Sequence, residues 1–274
     1  MSLRDIKRRI RSVKLTRKIT RAIQMVAASK VKTAQMKALA TRQYRDELLL
    51  LLARTGVKEF ILPGMRPEGE HLYIVFSSDR GLCGSYNSAM LRYFMNTVSP
   101  ENAIIITIGK KGFSALKSAG FAVFASFISI SDKPTFQDSL AITKSIRDAI
   151  DKYPIAHISL LYQKFINAML QKPEERLLFP AQVKALDDEN HELKFEPSVK
   201  TVRDALEAHY LTLMLYQVML EAVASEQSAR MVAMEQASSN AADIIFDLTQ
   251  NYNQLRQAAI TKELIEIVAG SQTN

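Results

Sequence analysis

A chain of 274 residues that is 47% hydrophobic and 23% charged can form one large domain or two smaller parts, and this composition excludes a disordered protein. Its single cysteine, Cys83, excludes an internal disulfide, and no run of 18 apolar residues is present to span a bilayer. The formal charge of +8 is uneven, because residues 1–45 carry about +13 and the remainder about −5.

The first predicted element is a long helix, since residues 1–55 contain neither Gly nor Pro. Residues 4–21 hold nine Lys or Arg and one Asp. Apolar residues recur along the first half of this helix at the spacing of a packing seam, which slips after Val13 and resumes at Ile19. The seam residues are Leu3, Ile6, Ile10, Val13, Ile19, Ile23 and Val26. A helix that is apolar on one side and positive on the other suits nucleic acid, an acidic membrane surface or an acidic protein partner.

The middle of the chain, about 70–190, alternates strands with helices. Near-continuous apolar strands are predicted at 71–78, 103–109, 121–128 and 155–163, with helices at 88–98, 111–119 and 135–153. This alternation predicts an α/β, Rossmann-like domain with a mostly parallel sheet that is covered on both faces.

The last predicted element is a second long helix, because residues 198–269 again lack Gly and Pro. Its heptad seam is spaced 4, 3, 4, 3, 4: Ala241, Ile245, Leu248, Tyr252, Leu255 and Ala259. Since the chain leaves along one helix and returns along the other, we predict an antiparallel coiled coil. The predicted division is 1–57 for the first helix, 70–190 for the α/β domain and 198–274 for the second helix.

The end of the second helix is apolar on more than one side. It is about 17 residues longer than the first helix, so we expect it to extend about 25 Å beyond Met1. Its apolar residues lie around the helix and predict that a partner encloses this tip: Ile260, Leu264, Ile265 and Val268.

No residue pattern indicates a catalytic, cofactor or metal site. The Gly-rich stretch 77–87 follows a strand, as a phosphate-binding turn does, but its spacing is neither that of a dinucleotide fold nor that of a Walker loop. The pattern favours a tight strand-to-helix turn that needs glycine, with Cys83 as a small buried thiol and not a nucleophile. The stretch "GKKG" (109–112) is similar to a KH-domain loop, but it follows a strand. The four histidines are scattered: His71, His157, His191 and His209.

Two alternatives to a structural role remain open on these patterns. One is a basic arm that binds nucleic acid, although Tyr44 is the only aromatic residue in 1–57 on which a base could stack. The other is a Rossmann-like enzyme that uses the Gly-rich stretch.

Five motifs in this order resemble the γ subunit of F-type ATP synthase. They are "LRDIKRRIRSVKLTRKITRAIQMVAASK" (3–30), "SSDRGLCG" (77–84), "YQKFINAMLQKP" (162–173), "SEQSARMVAMEQAS" (225–238) and "RQAAITKELIEIVAG" (256–270). The resemblance implies a non-catalytic rotor shaft without cofactor, which couples rotation of the membrane c ring to the catalytic β subunits. The implied partners are the α3β3 ring, the ε subunit and the c ring, and no nucleic acid.

The resemblance also implies roles for individual residues. Contacts with the α and β subunits are expected at Arg8, Arg9, Lys18, Arg21, Ile23, Glu226, Arg230, Arg256, Gln257, Thr261 and Glu263. Ile260, Leu264, Ile265 and Val268 correspond to a tip that turns in an apolar bearing. Phe195 and Glu196 are expected to face the c ring at the foot.

A redox-sensitive Cys pair, as in chloroplast members, is absent, which excludes thiol regulation of that kind. The near-complete N-terminal motif without a transit peptide favours a bacterial protein at the cytoplasmic face of the plasma membrane. Whether H⁺ or Na⁺ is the coupling ion stays open.

Overall fold

The structure is a computed structural model that describes residues 2–183 and 194–271, without the side chains of Asn102 and 266–271. Five helices and seven strands lie within these described residues. The helices are α1 (Leu3–Arg54), α2 (Tyr86–Thr97), α3 (Lys110–Ser118), α4 (Phe136–Lys152) and α5 (Val199–Ser271). The strands are β1 (Glu59–Phe60), β2 (Glu70–Phe76), β3 (Ala103–Ile108), β4 (Val123–Phe127), β5 (Ile155–Phe165), β6 (Gln171–Phe179) and β7 (Ala181–Gln182). Pro100–Asn102 forms a 3-10 turn.

Contacts divide the chain into two units. The first combines residues 1–26 with 231–274, and the second is the continuous stretch 27–230. Helices α1 and α5 therefore contribute residues to both units. The predicted division at 1–57, 70–190 and 198–274 stays a prediction.

The main sheet has the order β4-β3-β2-β5-β6. Its first four strands are parallel, as the alternation of strand and helix predicts. The sequence patterns missed β6, which pairs antiparallel with β5 at the edge. This strand contains Pro173 and four charged residues, which suit an edge strand but hide it from a search for apolar runs. A separate antiparallel pair joins β1 and β7.

Helices cover both faces of this sheet, also as predicted. On one face, Val75 and Ile105 pack with Phe94 of α2 and Leu116 of α3. The alternate residues of the same strands point into the larger core, which α4 and parts of α1 and α5 complete. A capping box begins α4, because the Thr135 hydroxyl accepts from the Asp138 N–H while the Asp138 carboxylate accepts from the Thr135 N–H.

Within the second unit, α1 and α5 run antiparallel. Arg203 Nη2 donates to the Thr55 carbonyl oxygen at 2.6 Å, whereas Ala34 packs against Val223. Residue numbers therefore fall along α5 as they rise along α1. This confirms the predicted antiparallel direction for the part of the helices that lies in this unit.

The seam predicted for α5 agrees with the observed burial. Ala241 is buried, most of the other seam residues are half-buried, and only Leu255 is exposed, at 41%. Their immediate neighbours along the helix are mostly more exposed.

The seam predicted for α1 is right up to Val13 and partly wrong afterwards. Ile19 and Val26 are 51% and 56% exposed, whereas Thr20 and Ala27 are buried. The heptad spacing therefore continues without a slip from Val13 to Thr20 and Ala27. A search for large apolar residues passes over Thr and Ala, although small residues let two helices approach closely.

Candidate functional site

In parallel α/β sheets, ligands bind outside the carboxyl ends of the strands, where the connections leave in opposite directions. Here that point lies between β2 and β5. The chain's own helix α5 occupies it: the Tyr86 hydroxyl donates to the Ala222 carbonyl oxygen at 3.3 Å, and Gln163 Nε2 donates to the Tyr86 carbonyl oxygen at 2.9 Å. The position at which a Rossmann-like enzyme would bind its nucleotide is therefore filled.

The Gly-rich turn after β2 satisfies its polar groups internally. The Ser78 N–H donates to Asn87 Oδ1 at 3.0 Å, and Asn87 Nδ2 donates to Ser78 Oγ at 2.7 Å. The hydroxyl of Ser78 donates in turn to the Arg80 carbonyl oxygen at 2.6 Å. Leu82 and Gly84 both adopt positive φ. The turn is thus a closed connection between strand and helix.

Cys83 lies inside this turn as a free thiol and is 2% exposed. Burial raises the pKa of the Cys83 thiol, against the lowering effect of a hydrogen bond from Ser78 and the charge of Arg230. A protonated, enclosed thiol is a poor nucleophile. The sequence-based prediction of a small buried thiol agrees with this environment.

Glu226 and Arg230 form an ion pair one helical turn apart on α5, with Arg230 Nη1 at 2.7 Å from Glu226 Oε1. Both side chains are buried, and Arg230 Nη2 also donates to the Gly81 carbonyl oxygen at 3.2 Å. The family motif predicts these two residues as contacts with a neighbouring subunit. In the structure they hold the Gly-rich turn of their own chain, and the intersubunit contact stays a prediction.

Asp79 joins the loops that follow three strands of the sheet. Its carboxylate accepts from the Ser131 hydroxyl at 2.7 Å, after β4, and from the Lys110 N–H at 3.0 Å, after β3. Partial burial by itself would raise the pKa of Asp79, but hydrogen bonds from Ser129, Ser131 and Lys110 lower it overall.

A second ion pair links α1 to the segment after β4. Lys30 Nζ donates to both carboxylate oxygens of Asp132 at 2.6 Å, and Gln227 Nε2 of α5 donates to Asp132 Oδ1 at 3.2 Å. Sequence reasoning missed Lys30, Asp79, Asp132 and Gln227 as one cluster. No local pattern joins residues that are about 50 to 200 positions apart.

The other predicted contact residues lie mostly on the surface of their own unit. The basic and polar members are exposed: Arg8, Arg9, Lys18, Arg21, Arg256, Gln257, Thr261 and Glu263. Ile23 is half-buried. At the tip, Ile260, Leu264 and Ile265 are 48%, 57% and 63% exposed, and the side chain of Val268 lies outside the described part. At the foot, Phe195 is half-buried and Glu196 is exposed.

Residues 2–183 and 194–271 hold neither a metal-binding cluster nor a membrane-spanning helix. No group of three or more His, Cys, Asp or Glu is arranged there to hold a metal ion. None of the helices in the described stretches is long and apolar enough to cross a bilayer. His191 falls outside these stretches.

Comparison with known proteins accounts for almost the whole chain. A family profile described as ATP synthase matches residues 2–273. ATP synthase gamma chains of Psychrobacter cryohalolentis and Halothermothrix orenii are 38% and 36% identical, and the alignments cover 98% or 99% of this chain and 98% of each relative.

Solved structures agree with this match. The rotor of the Euglena gracilis mitochondrial ATP synthase aligns with a TM-score of 0.68 at 19% identity, over 94% of this chain and 98% of that one, which shows the shared fold. A Tetrahymena thermophila mitochondrial ATP synthase chain, from a structure of the central stalk and c ring, aligns with a TM-score of 0.61 at 26% identity, over 80% and 99%. Because the family profile and the gamma-chain relatives match this chain over nearly its whole length, the chain belongs to the ATP synthase gamma chain family.

Proposed function

We propose that this chain is the central rotor shaft of an F-type ATP synthase, coupling ion-driven rotation of a membrane c ring to conformational changes in the catalytic β subunits. The proposal rests on family membership and on the chemistry of the described surfaces. The observation that carries it is the tip of α5, where three apolar side chains stand about half exposed or more on a helix: Ile260, Leu264 and Ile265. Apolar surface of this kind is typical of a segment enclosed by a partner.

Charge supports the same arrangement of partners. The exposed Arg8, Arg9, Lys18 and Arg21 make one segment of α1 strongly positive, which suits acidic segments of the β subunits in an α3β3 ring. Phe195 and Glu196 would contact the c ring, next to the ε subunit. The chain would then be a peripheral, non-catalytic subunit at the cytoplasmic face of a bacterial plasma membrane, which its bacterial relatives support.

The contacts of α5 at the carboxyl ends of the strands weigh against a Rossmann-like enzyme. The hydrogen bond from Tyr86 to the Ala222 carbonyl oxygen places α5 in the crevice where such an enzyme would bind its nucleotide. No described contact favours a nucleic-acid-binding arm. Catalytic chemistry in the complex would therefore take place on other subunits.

Co-purification with a tagged chain, followed by ATP-driven ion pumping in vesicles, tests the proposal. We expect α, β and ε subunits and the c ring to be recovered with the tagged chain, and pumping to depend on it. Recovery of the chain alone from a host that makes all the other subunits would contradict the proposal. Pumping that persists without the chain would contradict it too.

A further inference from the structure

One cluster of charged and polar side chains, buried on α5 and half-buried elsewhere, is not used by the interactions proposed above. It joins helices α1 and α5 to the carboxyl edge of the parallel sheet, and all of its members belong to the second unit. Its residues come from four elements: Lys30, Asp79, Asp132, Glu226, Gln227 and Arg230.

One branch of the cluster passes through Arg230. The guanidinium contacts Glu226 at 2.7 Å and reaches the carbonyl oxygens of Arg80 and Gly81 at 3.4 and 3.2 Å. Asp79, in the same turn, binds the loops after β3 and β4. Arg230 therefore holds α5 against a turn to which the ends of three strands are attached.

The other branch passes through Asp132. Its carboxylate accepts from Lys30 of α1 at 2.6 Å and from Gln227 of α5 at 3.2 Å. The two branches meet where Gln227 Nε2 lies 3.5 Å from Glu226 Oε1. Both long helices are thus bonded to the same edge of the sheet.

Directional bonds at this edge differ in kind from the apolar contacts nearby. Apolar contacts such as that of Ala34 with Val223 are non-directional, so they resist separation of the surfaces better than sliding or twisting. A buried, hydrogen-bonded ion pair fixes one orientation, because displacement leaves desolvated charges without partners.

We propose that Arg230, supported by Glu226, and Asp132, supported by Lys30 and Gln227, are positioning residues that lock the α/β domain rotationally to the two helices. We call this group the edge clamp. A shaft can transmit torque only if the domain turned by the ring turns the helices with it. This inference rests on the proposed function as a rotor shaft.

The edge clamp also depends on pH. Burial raises the pKa of Glu226 to about 7, although the Arg230 charge and its hydrogen bond act to lower it. Asp132 and Asp79 raise this pKa further. Cys83 of the turn and Tyr86 of α2 also interact electrostatically with Glu226, and Lys30 of α1 is bonded to Asp132 beside it.

The sign of the pH effect follows from this raised pKa. A carboxyl that binds its proton more tightly in the closed clamp than when exposed favours the closed clamp at low pH. The clamp is therefore tightest below about pH 4.5, the ordinary pKa of a Glu carboxyl, and loosens as pH rises from there through 7, where Glu226 ionises in the closed clamp. Glu226→Gln copies the protonated form and should stay tight at all pH values.

Hydrogen–deuterium exchange on the full chain tests the clamp without partners. After correction for intrinsic exchange, the amides of residues 79–84 should exchange faster at pH 8 than at pH 6 in the wild type, and equally in Glu226→Gln. Loss of a charge-assisted bond in Arg230→Gln should speed this exchange about tenfold. Asp132→Asn tests the second branch if Arg230→Gln fails to fold, with faster exchange expected in residues 129–132.

Lys164→Gln is the matched control. It removes an ion pair of similar length, 2.6 Å to Glu174, that joins β5 to β6 within the sheet. It should leave exchange in residues 79–84 unchanged. Equal exchange in wild type, Arg230→Gln and Asp132→Asn would overturn the edge clamp.

The assembled complex gives the second readout, the ion-pumping rate divided by the ATP hydrolysis rate. This ratio should fall in Arg230→Gln and Asp132→Asn and stay at the wild-type value in Lys164→Gln. Equal ratios in the wild type and these three variants would show that the cluster does not transmit torque. A wild-type chain that fails to support pumping contradicts the proposed function instead, while the exchange experiment still decides whether the clamp exists.

Discussion

At the scale of single residues, the carboxyl edge of the sheet leaves little room for change. Gly109, which directly follows β3, has φ of +96°, and a Cβ built on it would overlap the backbone carbonyl group of Ser77. Gly120 has a similar φ of +86° with no atom within 4 Å of its Cβ position. The two glycines therefore separate the cost of backbone conformation from the cost of a steric clash.

Gly120→Ala should lower the free energy of unfolding by about 1–2 kcal/mol, the cost of a left-handed conformation for an L-residue. Gly109→Ala adds a clash with a neighbouring strand end and should cost more than about 4 kcal/mol. Denaturant unfolding of both variants measures the difference. Equal losses would mean that the sheet edge relaxes to accept the methyl group.

His71 makes the stability of the sheet sensitive to acid. It is partly buried on β2, and Nε2 lies 2.8 Å from Ser159 Oγ. Burial, with a smaller effect of His157, lowers the pKa of His71 to about 4. Because the unfolded chain takes up this proton near pH 6.5, the free energy of unfolding should fall as pH drops from about 6.5 towards 4, by about 3 kcal/mol at most.

Comparing the pH dependence of unfolding in wild type and His71→Gln isolates this contribution, since Glu226 has the opposite effect over part of the same range. His157→Gln is the control and should leave most of the dependence in place. An identical pH slope for wild type and His71→Gln would show that His71 is not the group responsible.

At the scale of elements, α1 combines a buried seam with an exposed positive side. Single exposed ion pairs contribute about 0–1 kcal/mol, so we expect one substitution among Arg8, Arg9, Lys18 and Arg21 to have little effect. The fourfold change to Gln should weaken assembly or coupling, most clearly at low ionic strength, where screening is least. ATP-driven pumping measured across a salt series tests this. A fourfold variant that behaves as wild type at every salt concentration would make this side of α1 merely solvated.

The tip of α5 carries polar side chains beside exposed apolar ones. Thr261 Oγ1 donates to the Gln257 carbonyl oxygen of its own helix at 2.9 Å, while Arg256 and Gln257 are exposed. If Arg256 and Gln257 bind β-subunit loops in one rotary position, each contact contributes about 0.5–3 kcal/mol, with the charged Arg256 at the upper end.

Arg256→Ala or Gln257→Ala should therefore lower steady-state ATP turnover in the complex while single-site hydrolysis persists. The reason is that the contact coordinates the catalytic sites of the β subunits with one another and is not part of any single catalytic site. Comparing the two rates on reconstituted complex is the measurement. Unchanged rates in both variants would mean that these residues face solvent throughout the rotation.

At the scale of the whole molecule, the stability of the core and the predicted enclosure of the tip depend on different units. The large core formed by the sheet, α4 and the helix segments of residues 27–230 lies within one unit. Truncation after Ala259 removes Ile260, Leu264 and Ile265, which are exposed in the chain on its own. Thermal unfolding of the sheet should therefore keep its midpoint, whereas assembly or rotation in the complex should be impaired. A lowered midpoint in the isolated truncated chain would show that the tip supports the core.

The amino-acid sequence by itself determined the elements whose signal is local. Long stretches without Gly or Pro define α1 and α5, and apolar runs define β2, β3 and β5, because helix and strand formation depend mainly on nearby residues and on hydrophobic period. The family motifs are equally local and identify the chain by their residues and order.

Only the tertiary structure decided which partners these elements meet. The α1 seam continues through Thr20 and Ala27, the charged strand β6 completes the sheet, and Glu226 and Arg230 turn inward to hold the Gly-rich turn. Each outcome depends on contacts between residues far apart in the chain. Burial of a small or charged side chain follows from what packs against it, and no local pattern records that partner.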